Sequence, residues 1–236
     1  MEKANYDTVF SFASNLATRI NSLGLSQERL DGIKRGAYPE FWTTFDTLMC
    51  GGQVVITDVE RWQGFYKKFF NRDFDFSGVQ IPERVEDFNR LIIIPGLSLE
   101  EVWTVHKRHF FCEKYTCSKL DDTIVYNDRN VAGGAYAIWV RDRVEADKET
   151  QGLSEDNLAR QGLKGITLLE RLIFGLKYFS ETKKHLDQNG IVTVCSGSRD
   201  QDGYVPDVRW DDGERVYING SGCRHVYMRP RVVITV

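Results

Sequence analysis

ITLLERLIFGLKYFSETKKHLDQNG (166–190) is followed by IVTVCSGSRDQDGYVPDVRW (191–210), and then by RVYING (215–220) and RHVYMRPRVVITV (224–236). The period of this stretch changes partway along, and that change decides the fold class. Leu169, Leu172, Ile173, Leu176 and Phe179 recur at helical spacing, with Arg171, Lys177, Lys183 and Lys184 expected to face solvent. Thr167 and Glu170 are spaced as a capping box, a basic last turn suits the helix dipole, and Asn189-Gly190 is the expected stop. From Ile191 the pattern turns to short strands, predicted at Ile191–Cys195, Val205–Trp210, Arg215–Asn219 and Arg231–Val236, with Gly203, Asp211-Asp212-Gly213 and Gly220–Gly222 as breaks. A helix followed by meandering strands reads as α+β, with short strands and two flanking helices.

Upstream, RLIIIP (Arg90–Pro95) reads as a short apolar strand. Ser98 and Glu101 form another capping box, opening a helix with Val102, Trp103 and Val105 inward, and Ala135–Arg141 reads as the next strand. The first fifty residues read as helical, with Phe10, Phe12, Leu16, Ile20 and Leu23 on one stripe and a second helix over Ser26–Lys34. Gly51-Gly52 and FNRDFDFSG (70–78), then Pro82, punctuate the chain, so a division is placed near residue 88: a mostly helical region over 1–88 and a ligand-binding domain over 89–236.

Composition narrows the function. With 31 basic against 34 acidic side chains the net charge is -3, which offers no electrostatic footprint for nucleic acid. No apolar run approaches the roughly 20 residues that span a bilayer, so no membrane insertion is expected. The start MEKANYDTVFSFAS lacks the pattern of a signal peptide, pointing to synthesis in the cytoplasm, which is compatible with a later place in a virus particle. Five scattered cysteines suit a reducing compartment better than a disulfide framework.

His106, His109, Cys112 and Cys117 present four zinc-capable ligands in H-x2-H-x2-C-x4-C; the competing reading is partly buried helix residues followed by a Cys-lined loop, and it fits the aromatic neighbours better. Asp121-Asp122 and Asp211-Asp212 read as solvated turns rather than acid/base dyads, and none of the strong nucleotide-binding or hydrolase signatures occurs. The expectation is a binding protein with no catalytic residue, metal or cofactor.

Within the tail, alternation along VPDVRW and RVYIN places Val208, Trp210, Val216 and Ile218 on a buried face and turns Asp207, Arg209, Tyr217 and Asn219 outward. Tyrosines with Asp, Asn, Arg and His are the chemistry of an antibody-like paratope. Arg229 and Arg231 read as framework, since a guanidinium can tie several backbone carbonyls together.

The tail, with YAIWVRDRVEAD (136–147) and GITLLERL (165–172), resembles the variable proteins of diversity-generating retroelements in bacteria, archaea and viruses. The resemblance is strongest over about residues 90–236. It implies a C-type-lectin fold related to the formylglycine-generating enzyme group, with a diversified surface near the C-terminus, here about 199–231. In that family adenines of template asparagine codons are altered, which excludes Lys, Glu, Gln, Met and Trp from variable positions. Tyr204, Asp207, Arg209, Asp211, Tyr217, Asn219, Gly220, Cys223, His225, Val226 and Tyr227 are permitted types and form the expected ligand-binding set; Gln201, Trp210, Glu214 and Met228 would be fixed framework. No Lys follows Lys184, whereas six Arg do. The implied partner is an unidentified protein or cell-surface ligand, and a homo-oligomer is compatible with this reading. The alternatives are a cysteine/copper oxidase of the formylglycine-generating type using Cys195 and Cys223, and a lectin-fold paralogue that does not diversify.

Overall fold

Local signals dominate where the elements form. Ser98 and Thr167 each sit in extended backbone, accept from the amide three residues on, and receive the returning carboxylate of Glu101 and Glu170, so both predicted capping boxes are complete. A third, not predicted, joins Thr57 and Glu60. In the computed structural model the described residues are 14, 22, 24–34, 57–211, 214–221, 225 and 227–236. The chain forms two compact units, Met1–Ile56 and Thr57–Val236. The described part of the first unit holds helix α1 (Gln27–Lys34); the stripe from Phe10 to Leu23 lies outside the described residues.

The second unit is mixed α+β. In chain order it contains α2 (Asp58–Phe70), β1 (Arg90–Ile94), α3 (Leu99–His109), β2 (Phe111–Lys114), α4 (Leu120–Thr123), β3 (Ile124–Asn127), β4 (Tyr136–Val140), α5 (Glu155–Arg160), β5 (Lys164–Gly165) and α6 (Leu168–Thr182). The strands β6 (Val192–Val194), β7 (Ser198–Asp200), β8 (Val205–Asp211), β9 (Arg215–Ser221), β10 (Met228–Pro230) and β11 (Val232–Val233) complete it. A five-stranded mixed sheet runs β10-β6-β8-β9-β2, and the antiparallel pairs β1-β4, β5-β11 and β3-β7 stand apart from it. The main core gathers β1, β4, α2, α3 and α6 with the inner face of β8 and β9.

The second unit begins well ahead of the division expected near residue 88. Helix α2 buries Trp62, Phe65, Tyr66 and Phe69, and its polar tips are consumed by β1: Trp62 Nε1 donates to the Leu91 carbonyl at 3.2 Å and the Tyr66 hydroxyl to that of Ile93 at 2.6 Å. A buried aromatic hydroxyl or indole needs such a partner, so α2 and β1 belong to one packing unit.

Helix α6 departs from its expected surface. Arg171 and Lys177 are buried, not solvent-facing. The Arg171 guanidinium donates to Asp187 at 2.8 Å, while Lys177 lies over the Trp62 ring at 4.9 Å and donates to the Arg61 carbonyl at 3.1 Å. Helical periodicity assigns charge to the outside; a buried partner overrides it. The helix also stops at Thr182, where Lys183 adopts a left-handed conformation as C-cap, so the expected basic last turn and the stop at Asn189-Gly190 are corrected.

Arg231 behaves as the framework cation expected of it. At 1% exposure it donates to the carbonyls of Arg143 (3.0 Å) and Val144 (2.6 Å) and to Asp187 (3.0 Å). Asp187 also accepts from Thr193 Oγ1 at 2.5 Å and the Ala146 amide at 3.0 Å, so one carboxylate joins α6, β6, the loop after β4 and the final strands. No helix among the described residues is long and apolar enough to cross a membrane.

Candidate functional site

Strand pleat sorts the side chains of β8 and β9. Their antiparallel register sets Asp207 opposite Asn219, Arg209 opposite Tyr217 and Asp211 opposite Arg215; between these, Val208 faces Ile218 and Trp210 faces Val216. Successive residues point to opposite sides, so two separate faces result. Val208, Val216 and Ile218 enter the core.

The opposite face is extended by β2, which pairs in parallel with β9 and places Phe111 beside Arg215 and Glu113 beside Tyr217. It grades from open to closed across the sheet. Phe111, on the edge strand, is 64% exposed; Arg209, Arg215, Tyr217 and Asn219 are half-buried; Asp207, beside β6, is 1% exposed. Asp207 was expected to face outward as part of the open set; it lies opposite Val194 of β6 and is buried.

The middle of this face is ordered by charge and ring contacts. The guanidiniums of Arg209, at 5.0 Å, and Arg215, at 5.5 Å, both approach the Tyr217 ring. Asp211, at 2.7 Å, and Glu113 hold Arg215 in place. Arg209 forms no ion pair or hydrogen bond among the described residues, so its donors are open to an acceptor from outside.

Trp210 takes the core side, as alternation requires, yet it is half-buried rather than enclosed. What covers it is His185, beyond the end of α6, stacked at 3.5 Å between centroids and 9° between planes, with Phe110 edge-on at 6.2 Å. Burial drives the His185 pKa down from 6.5 to about 4, so the ring is neutral where it stacks.

Tyr204 is 48% exposed at the tip of a turn organised by Asp200, whose Oδ1 accepts from the amides of Asp202 and Tyr204 and whose Oδ2 accepts from the Tyr115 hydroxyl at 2.9 Å. Gly220 packs on the same Tyr115: a Cβ there would lie 2.8 Å from the ring. The structure has no room for a side chain at this position, which was expected to vary. Exposed His225 and Tyr227 stack on each other at 5.1 Å between centroids. Cys223 and Val226 lie outside the described residues.

Two contributors were missed by the linear reading. Phe111 and Glu113 fall in a segment read as a loop, and they join the face only because FCEK pairs with a strand far along the chain. Their alternation in Phe111–Lys114 is the one local signal.

The histidine and cysteine cluster is dispersed by the fold. His106 is 2% exposed, has its Nε2 at 3.0 Å from the Leu172 carbonyl, and burial lowers its pKa from 6.5 to about 3. No group of three or more His, Cys, Asp or Glu among the described residues could hold a metal ion. Cys195 is fully buried and burial pushes its thiol up, favouring the unreactive protonated form. No protein-family model, no curated protein and no solved structure matches this chain.

Proposed function

We propose that this chain is a ligand-binding variable protein with a C-type-lectin fold, presenting the outer face of β8 and β9 to a protein or other surface ligand. The observation that carries this reading is the β8–β9 register, which separates Arg209, Tyr217 and Asn219 from the core residues Val208, Val216 and Ile218. Side chains that do not contribute to the core can be exchanged without dismantling it.

The chemistry of the face suits recognition. Tyr217 is a large aromatic with two guanidiniums within 5.5 Å of its ring centroid, Phe111 adds exposed apolar area at the edge, and Arg209 has donors to spare. Aromatic and arginine anchors of this kind dominate binding energy in protein interfaces. Tyr204, His225 and Tyr227 add exposed rings on neighbouring turns. The burial of Cys195 weighs against the cysteine/copper oxidase alternative, because a fully buried neutral thiol is a poor ligand and nucleophile.

The gene's surroundings test the diversification in this proposal. Expected is a neighbouring reverse-transcriptase gene and a near-repeat of codons 199–231 whose differences fall at adenines. Differences in the codons of Val208, Trp210, Val216 or Ile218 would contradict it, since those side chains fill or flank the core. Absence of any repeat would leave the lectin-fold paralogue that does not diversify.

A further inference from the structure

We propose that the converging ends of α2, α3 and α6 form a basic docking surface for an acidic segment of another protein. The three ends meet through their rings. Between centroids, Phe69 of α2 lies 5.0 Å from His109 of α3, and Phe110, just after α3, lies 4.7 Å from Phe179 of α6. His185, beyond α6, stacks on the same Phe179 at 5.1 Å. Arg108 lines one cavity with Phe70 and Arg72, which places it beside the end of α2.

Each end carries cations into solvent. Lys68, Arg108, His109, Lys183 and Lys184 are all exposed. Lys68 and Lys183 stand over Phe69 and Phe179, with Nζ at 5.8 Å and 5.4 Å from the ring centroids, so two of the charges are held on the ring line. Lys68, Arg108, Lys183 and Lys184 form no ion pair among the described residues. The carboxylates of the same helices and of the turn after α2 are committed elsewhere: Asp73 to Lys67, Glu101 to Arg72, Glu100 to Lys107 and Lys114, and Glu181 to Arg90 and Lys177.

A helix dipole favours cations at a C-terminus, which accounts for each position taken singly. It does not balance the cluster, since each of the three ends supplies only about half a negative charge against four unpaired cations. A partner bringing several carboxylates matches that surplus. A protein segment suits the patch better than a nucleic acid for two reasons. The ring line from Phe69 through His109, Phe110 and Phe179 to His185 has no step longer than 6.1 Å, so an extended segment on the order of six residues spans it. The net charge of -3 already counts these cations, so the rest of the surface is more acidic still and repels a long polyanion. The patch is separate from the display face: Arg209 and Tyr217 lie on the other side of the sheet from Trp210, on which His185 stacks.

The test titrates the full chain into labelled hexaglutamate, hexaglutamine or hexathymidylate, read by fluorescence anisotropy at neutral pH and about 50 mM salt, where exposed charges are weakly screened. Expected is saturable binding of hexaglutamate, at least about tenfold tighter than of hexaglutamine. Arg108→Glu combined with Lys184→Glu should weaken it about tenfold or more. Lys148→Glu combined with Lys164→Glu changes the net charge equally at exposed positions outside the ring line and should leave affinity within about twofold. Arg209→Ala should also leave it unchanged, so failure here and failure of the display face are told apart. No saturable binding of hexaglutamate, equal weakening by the two charge reversals, loss of binding in Arg209→Ala, or tighter binding of hexathymidylate would overturn the proposal. If the Arg108 and Lys184 reversal fails to fold, Arg108→Gln with Lys184→Gln decides, with a loss of about threefold or more expected.

Discussion

Trp210→Ala removes a ring stacked on His185 at 3.5 Å and touching Phe110 edge-on, yet half-buried. Truncating a wholly enclosed aromatic costs about 3–5 kcal/mol. Trp210 keeps a minor part of its area exposed, so the loss falls toward the lower part of that range, about 2–4 kcal/mol, of which the aromatic contacts contribute about 0.5–1.5 kcal/mol. Urea unfolding with an unchanged slope measures it directly. A second readout is independent of stability: with the covering indole gone, His185 is rehydrated and its pKa should climb from about 4 back toward 6.5, followed by NMR titration. A loss below about 0.5 kcal/mol, with His185 titrating unchanged, would match an ordinary surface substitution and refute the register that puts Trp210 on the core side.

Stability should fall as pH drops below 6.5, because His185 and His106, with native pKa values of about 4 and about 3 against 6.5, bind protons in the unfolded chain before the native one. The urea midpoint should therefore be flat in their contribution above 6.5, and His185→Gln should flatten part of the acid limb. Gly220→Ala forces a Cβ to within 2.8 Å of the Tyr115 ring and disturbs its hydrogen bond to Asp200, for an expected loss of about 1–3 kcal/mol by thermal unfolding. Arg231→Met leaves the buried carbonyls of Arg143 and Val144 without their donor and Asp187 with Arg171 as its cation, and should cost about 3–5 kcal/mol or prevent folding, read from soluble yield and circular dichroism.

Features encoded within a few residues were legible in the sequence. The capping boxes at Ser98 and Thr167 depend on side chains three positions apart, and strand alternation in VPDVRW needs only the pleat. The framework role of Arg231 was legible because a donor-rich cation beside short strands has few other uses. What stayed hidden depends on distant partners. Arg171 is buried because Asp187 waits for it, and Asp207, opposite Val194 of β6, is buried where alternation alone would leave it open. Gly220 is small because Tyr115, from the segment after β2, occupies the space. Phe111 and Glu113 reach the face through a parallel pairing with a distant strand, and their own alternation suggests a strand without naming that partner. Periodicity states which face a residue takes, and only the neighbouring elements decide whether that face is open.

The most direct test of the display face is a library in which Tyr204, Arg209, Tyr217, Asn219, His225 and Tyr227 are randomised together on a display platform and selected against several unrelated proteins. The account predicts that most clones fold with unfolding midpoints near the parent's, and that binders emerge whose affinity is lost when the selected residues at Arg209 and Tyr217 are reverted. A library that mostly fails to fold, or binders indifferent to those two positions, would contradict it.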